Sequence, residues 1–195
     1  MLDLTLPATD LAPLLVGALL TDAGVTVRIT EVEAYAGADD PAAHAFPGPR
    51  PRTLDLFGPA GTLYIYLSHG LHICGNVVCR DAGGGSAVLL RAGRVLAGRD
   101  LVRQRRPGVP DVALARGPGN LGRALGWTRA DSGRRFDEGG LELLPAPGPG
   151  PVVVTGPRVG VSVAHRRPWR FWAEGDPTVS AYRPSPRIVP GHHDW

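Results

Sequence analysis

The sequence predicts one compact domain in which β-strands and a few short helices share a single core. Three observations carry this. The 195 residues are 43% hydrophobic and 20% charged, the balance of a folded globular chain with enough length to enclose one core. Apolar residues alternate at Val25, Val27 and Ile29 and again at Leu63, Ile65 and Leu67, the period of strands with one buried face. The 27 glycines and 20 prolines supply turns and long surface connections.

Thr9 or Asp10 caps a helix running to about Leu20, with Pro13 tolerable in its first turn and Leu11, Leu14, Leu15 and Leu19 as its buried stripe. Asp22-Ala23-Gly24 turns the chain into the strand at 25–35. Carried on at period two, the face of Val25, Val27 and Ile29 next presents Glu31, Glu33 and Tyr35. Carboxylates on a buried face need partners or a purpose; the alternative is a strand that emerges into water with both glutamates hydrated.

Residues 36–61 read as a long ordered loop carrying His44, and loops of that length tend to be functional. Strands flanking Ser68-His69-Gly70 form a hairpin that projects His69 from its tip, Gly70 supplying a positive φ. Ser86–Arg91 is a further strand, and alternation puts Arg91 with Ala87 and Leu89. A buried arginine there wants an anion, for which Glu31 or Glu33 is available. Residues 94–106 read as a basic helix and 117–125 as a shorter one. Pro145–Pro151 is a turn within the domain, since strands at 152–154, 159–163 and 169–172 follow it. The tail after Pro184 is polar, Pro-rich and loosely held.

The composition narrows the chemistry. The longest apolar run, Leu11–Leu20, is too short to cross a bilayer and contains Pro13 and Gly17, and no charged leader precedes it, so a cytoplasmic protein without a membrane partner is expected. Cys74 and Cys79, at odd spacing on one strand, point to opposite faces and do not pair; no zinc-ligand pattern is present, and His192-His193-Asp194 reads as a solvated tail. All 21 basic side chains are arginine, so no lysine can form a Schiff base, while guanidinium forks suit phosphate. A net charge of +3 permits a polyanionic partner without demanding one. A carboxylate with Tyr35, His44 and Tyr66 in one cavity suits a flat, electron-poor ring held by stacking beside an activated water. Tyr64 reads as core or sheet surface, Glu31 as the structural partner of an arginine, and Arg103, Arg105 and Arg106 as a solvated face.

Eight blocks then share one resemblance. EVEAY at 31–35, AAH at 42–44, FGPAGTLYIY at 57–66, HGLHICGNVV at 69–78, VLLRA at 88–92, GPGNLGRALG at 117–126, GPRVGVS at 156–162 and WRFW at 169–172 are together similar to the alkyladenine (3-methyladenine) DNA glycosylase family, in family order from about residue 8 to 182. The resemblance implies an α+β fold: a single domain, 1–195, around a curved antiparallel sheet with flanking helices and a hairpin that enters the minor groove. It implies a monofunctional hydrolase, without cofactor, that flips alkylated or deaminated purines (the 3-methyladenine, hypoxanthine and ethenoadenine class) from double-stranded DNA and cuts the N-glycosidic bond. By motif, Glu33 activates the water, Arg91 helps hold that water or a phosphate, and Tyr35 and Tyr66 sandwich the base. His44 lines the pocket, and Asn76 screens the minor-groove edge of purines. His69 stands where the family places a wedging tyrosine; Leu54-Asp55-Leu56 and Asn120 replace positions that are more basic in the family. A cytoplasmic monomer is expected, nucleoid-associated if the protein is bacterial. The competing readings are a catalytically silent DNA-damage-binding module of the same fold and an unrelated small-molecule hydrolase.

Overall fold

The architecture is organised by one long strand whose two faces have different duties. A computed structural model of the chain describes residues 1–80 and 82–188. Helix α1 (Ala8–Leu15) leads into β1 (Leu19–Asp22), and Ala23 and Gly24, both at positive φ, reverse the chain into β2 (Val25–Ala36). There follow β3 (Leu63–Ser68), β4 (His72–Cys79), β5 (Ser86–Ala97), α2 (Arg99–Arg105), α3 (Pro118–Leu125), β6 (Glu142–Leu144), β7 (Val153–Gly156) and β8 (Arg170–Ala173). The sheet is antiparallel and open, in the order β3-β4-β5-β2-β1-β6; β8 pairs with the second half of β2 through Glu31–Glu33, and β7 pairs with β8. The α+β expectation holds.

The two faces of β2 exchange roles part-way along. Pairing with β5 runs Ile29 to Gly93, then Glu31 to Ala92, then Val32 to Leu90, so one extra residue on each strand disrupts the ladder at Thr30 and Arg91. The core takes Val25, Val27 and Ile29 before this irregularity, and Val32 and Ala34 after it. Period-two reading carries Glu31, Glu33 and Tyr35 onto the core face. The bulge instead moves them to the opposite one, because a one-residue shift exchanges the faces of everything beyond it. Neither Glu31 nor Glu33 therefore has to share the hydrocarbon core.

That core is built from α1 and α3 against one side of the sheet. Leu11 and Leu15 of α1 and Leu121, Ala124 and Leu125 of α3 are fully enclosed with Leu63, Val77, Val88 and Leu90, each large side chain contributing roughly 1.5–3 kcal/mol of apolar burial. On β4, Gly75 is required for packing: a Cβ there would stand 2.2 Å from the Trp127 ring.

Several local expectations are corrected. The first helix ends at Leu15 and is preceded by Pro7 with no side-chain cap; Leu14 is exposed and Leu19 belongs to β1. Gly17, at positive φ between them, ends the helical run. The basic stretch from 94 is strand as far as Ala97, and only Arg99–Arg105 is helical. Residues 159–163 form no strand but an irregular segment lying against the far face of the sheet. The loop at 36–61 holds two 3-10 turns, Gly37–Asp39 and Pro51–Phe57. His192, His193 and Asp194 lie outside the described residues.

Candidate active site

Register alone assembles the site. Tyr64 on β3 pairs with Asn76 on β4, Asn76 with Leu89 on β5, and Leu89 with Glu33 on β2, so four strands place these residues in one row across the face opposite the core. A neighbouring row runs Val78, Ala87, Tyr35, and Tyr66 pairs with Cys74 on the other side. Loop residues Pro41–His44 and Val159–Val163 wall this face, leaving a cleft of about 540 Å³ bounded by Tyr35, His44, Tyr64, Tyr66, Asn76 and Arg91 among others. His69 stands at its mouth.

Glu33 is fully buried, one layer beneath the floor. Its Oε2 accepts hydrogen bonds from the Tyr35 hydroxyl at 2.9 Å and Arg91 Nη1 at 3.2 Å, and its Oε1 accepts the Val159 backbone N–H at 2.7 Å. All three donors belong to residues that line the cleft. A carboxylate accepts about four hydrogen bonds, so one position remains for a further donor. Glu31 is the companion node. It accepts from Arg91 Nε at 2.7 Å, Arg170 Nε at 2.8 Å, and the Ser180 N–H and hydroxyl at 2.7 and 2.9 Å. Burial pushes its carboxyl up, but the Arg91 and Arg170 guanidiniums outweigh that and hold it below the ordinary range. Burial likewise opposes the charge on Arg91, and the two glutamates override it, so its guanidinium stays firmly protonated. Arg91 thus has the anionic partners its position in the sequence requires.

Three rings gather at the β3 end of the cleft. Tyr66 meets His44 edge-on at 4.6 Å between centroids and lies 6.1 Å from Tyr64 at an interplanar angle of 25°. The Tyr64 hydroxyl and His44 Nδ1 are 3.2 Å apart. Tyr35 stands on the other side of the cleft, three strands away. Burial, with the Glu33 charge beside it, pushes the Tyr35 phenol well up, so it remains a neutral donor; burial lifts Tyr64 to about 12 and the Cys74 thiol to about 11. Partial burial and the nearby Arg52 lower the His44 imidazole below its usual range, leaving it neutral at pH 7. The Asn76 amide donates to the Tyr64 carbonyl at 3.1 Å, which fixes the side chain while it lines the cleft.

At the hairpin end, His69 and Gly70 have φ of 50° and 72°, and the Leu71 N–H donates to the Ser68 carbonyl, as in a type I′ turn. His69 and Leu71 are exposed there, with Ser68 Oγ 3.0 Å from His69 Nδ1.

Two residues escape the sequence reading. Tyr64 lines the cleft, although it reads as core or sheet surface; its signal is the i, i+2 relation to Tyr66 on one strand. Arg158, fully buried behind Tyr35, had no local sign beyond its place in the GPRVGVS block. Beside the cleft a second groove carries Arg50, Arg52 and Arg129 with the exposed Phe46; none of these arginines forms an ion pair among the described residues.

Comparison with known proteins bears on this arrangement. The family model described as methylpurine-DNA glycosylase matches residues 3–177. A protein of Frankia casuarinae is 52% identical over 194 residues, covering 93% of this chain and 91% of its own. One from Cutibacterium acnes is 49% identical over 190 residues, 94% and 100% of the two chains, and one from Corynebacterium efficiens 46% identical over 186, 95% and 97%. All three carry the provisional name 3-methyladenine DNA glycosylase. The family model and these relatives agree on one class, the DNA glycosylases. The chain is a member of the methylpurine-DNA glycosylase family. No helix among the described residues is long and apolar enough to cross a membrane.

Proposed function

We propose that the protein excises alkylated or deaminated purines from double-stranded DNA by hydrolysis, with Glu33 as the general base. The observation that carries this is the Glu33 carboxylate, fully buried and held by Tyr35, Arg91 and Val159, three residues that themselves line a cleft walled by aromatic rings. In this reading the hairpin enters the minor groove and a damaged nucleotide swings into the cleft, at an unstacking cost of about a few kcal/mol that is least where pairing is already weakened. The purine stacks among Tyr35, Tyr66 and His44, with Asn76 at its edge. A water admitted with the nucleotide donates to the fourth acceptor position of Glu33 and attacks the sugar C1′. Arg91, pinned by both glutamates, holds that water or the adjoining phosphate. The neutral His44 contacts base or phosphate without adding charge. The free arginines of the flanking groove suit backbone phosphates.

Incubating the protein with duplexes that carry 3-methyladenine, hypoxanthine or 1,N6-ethenoadenine is expected to leave an alkali-labile abasic site in at least one. Glu33→Gln is expected to retain lesion binding and lose roughly 100-fold or more in single-turnover excision. A folded protein that cuts none of the three is not a glycosylase of this class. A variant that cuts as fast as the wild type removes Glu33 from the chemistry.

A further inference from the structure

Behind Tyr35 lies a guanidinium with which the reaction just described has no need to make contact. The Arg158 Cζ is 4.6 Å from the Tyr35 ring centroid and over its face, and Arg158 is 1% exposed and not a wall of the cleft. Its two terminal nitrogens hold it, while the buried Nε has no hydrogen-bond partner among the described residues. Both terminal nitrogens donate to the fully buried Asp40 carboxylate, Nη1 donates to the Ala34 carbonyl at 3.0 Å, and the Trp169 ring lies 5.1 Å away. A second guanidinium, Arg167, covers Trp169 at 4.5 Å and stands 3.8 Å from the same Asp40. Two guanidiniums thus meet the same carboxylate behind the ring, and of these charges the Arg158 guanidinium is the one stacked on Tyr35.

An aromatic face attracts a cation because the ring carries negative charge above and below its plane. A guanidinium on one face draws that density toward itself and repels a second cation on the other. A neutral purine stacks by dispersion and offset contact and loses little by the same arrangement. Resting on the glycosylase reading, we infer that Arg158 is a specificity-determining residue that biases the cleft toward neutral damaged purines and against cationic ones by occupying the rear face of Tyr35. It touches no reacting atom; its influence passes through the Tyr35 ring.

The test compares single-turnover excision of 3-methyladenine, which is cationic, with 1,N6-ethenoadenine, which is neutral. Arg158→Met with Asp40→Asn removes both charges of the buried pair and is expected to raise the cationic-to-neutral rate ratio about 3- to 30-fold. Arg158→Gln alone removes the stacked guanidinium while Asp40 keeps its ion pair with Arg167, and it is expected to raise the ratio in the same direction, which keeps the inference testable should the double variant fail to fold. A purely structural role for the pair predicts slower excision of both lesions in either variant with the ratio unmoved, and that result overturns the inference alone. A wild type that cuts neither duplex removes the glycosylase reading and this inference with it.

Discussion

The buried end of the cleft and the exposed tip of the hairpin are built on opposite terms. Beneath the floor, Glu31, Glu33, Arg91 and Arg170 have side chains no more than 7% exposed and hold one another through hydrogen bonds from three strands and from Val159 and Ser180. At the tip, His69 and Leu71 stand clear of the sheet, fixed by a two-residue turn. The first region is over-determined, so each member is costly to change; the second is free to vary because nothing in the fold depends on it. Chemistry that needs a preorganised carboxylate belongs in the first, and groove insertion, which needs only reach and shape, belongs in the second.

The sharpest way to break the contrast is at Arg91. Arg91→Leu leaves two buried carboxylates short of their shared cation, a loss of about 3–5 kcal/mol, read as a fall in the midpoint of chemical denaturation with an unchanged slope. A loss below about 1 kcal/mol would mean that the network is not what holds β2, β5 and β8 together at this point.

Acid should expose the same network. The Glu31 carboxyl titrates below its ordinary value of 4.5 in the folded chain. Below pH 4.5 the unfolded chain therefore binds the proton that the folded chain refuses. The contribution is complete above that pH and disappears as pH falls through the folded value. Denaturation midpoints measured from pH 6 down to pH 3 are expected to fall for the wild type and to fall less steeply for Glu31→Gln. Parallel curves would assign the acid sensitivity to other carboxylates.

What the sequence revealed follows the same division. The strand at 25–35, the hairpin and its tip, and the Arg91 partnership are legible because period two, a Gly turn and an unpaired buried charge are local signals. The role exchange within β2 is not, because a bulge depends on how β5 is registered against it; Val32 and Ala34 look no different from any apolar pair. Strands β1 and β6 are short elements defined by pairing, and Leu19 reads equally well as the end of a helix. Residues 159–163 alternate as a strand would, yet tertiary context uses the Val159 N–H as a donor to Glu33 instead of a ladder partner. The row Tyr64, Asn76, Leu89, Glu33 exists only once four strands are in register, which is why Tyr64 read as scaffold.

The smallest expected effect tests the tip. His69 sits in a left-handed backbone conformation beside Gly70, and its one side-chain hydrogen bond among the described residues is with Ser68, so replacing it with Tyr or Ala should leave stability within about 0.5 kcal/mol. Binding to lesion duplex should respond instead. Tyrosine offers a larger ring to fill the gap left by an extruded nucleotide, and His69→Tyr is expected to hold or tighten affinity, while His69→Ala weakens it without altering the excision rate of bound substrate. A large loss of affinity in His69→Tyr would mean that the tip does not insert. Equal losses of stability in both variants would mean that the turn, like the carboxylate network, is part of what holds the fold, and the contrast between the two regions would fail.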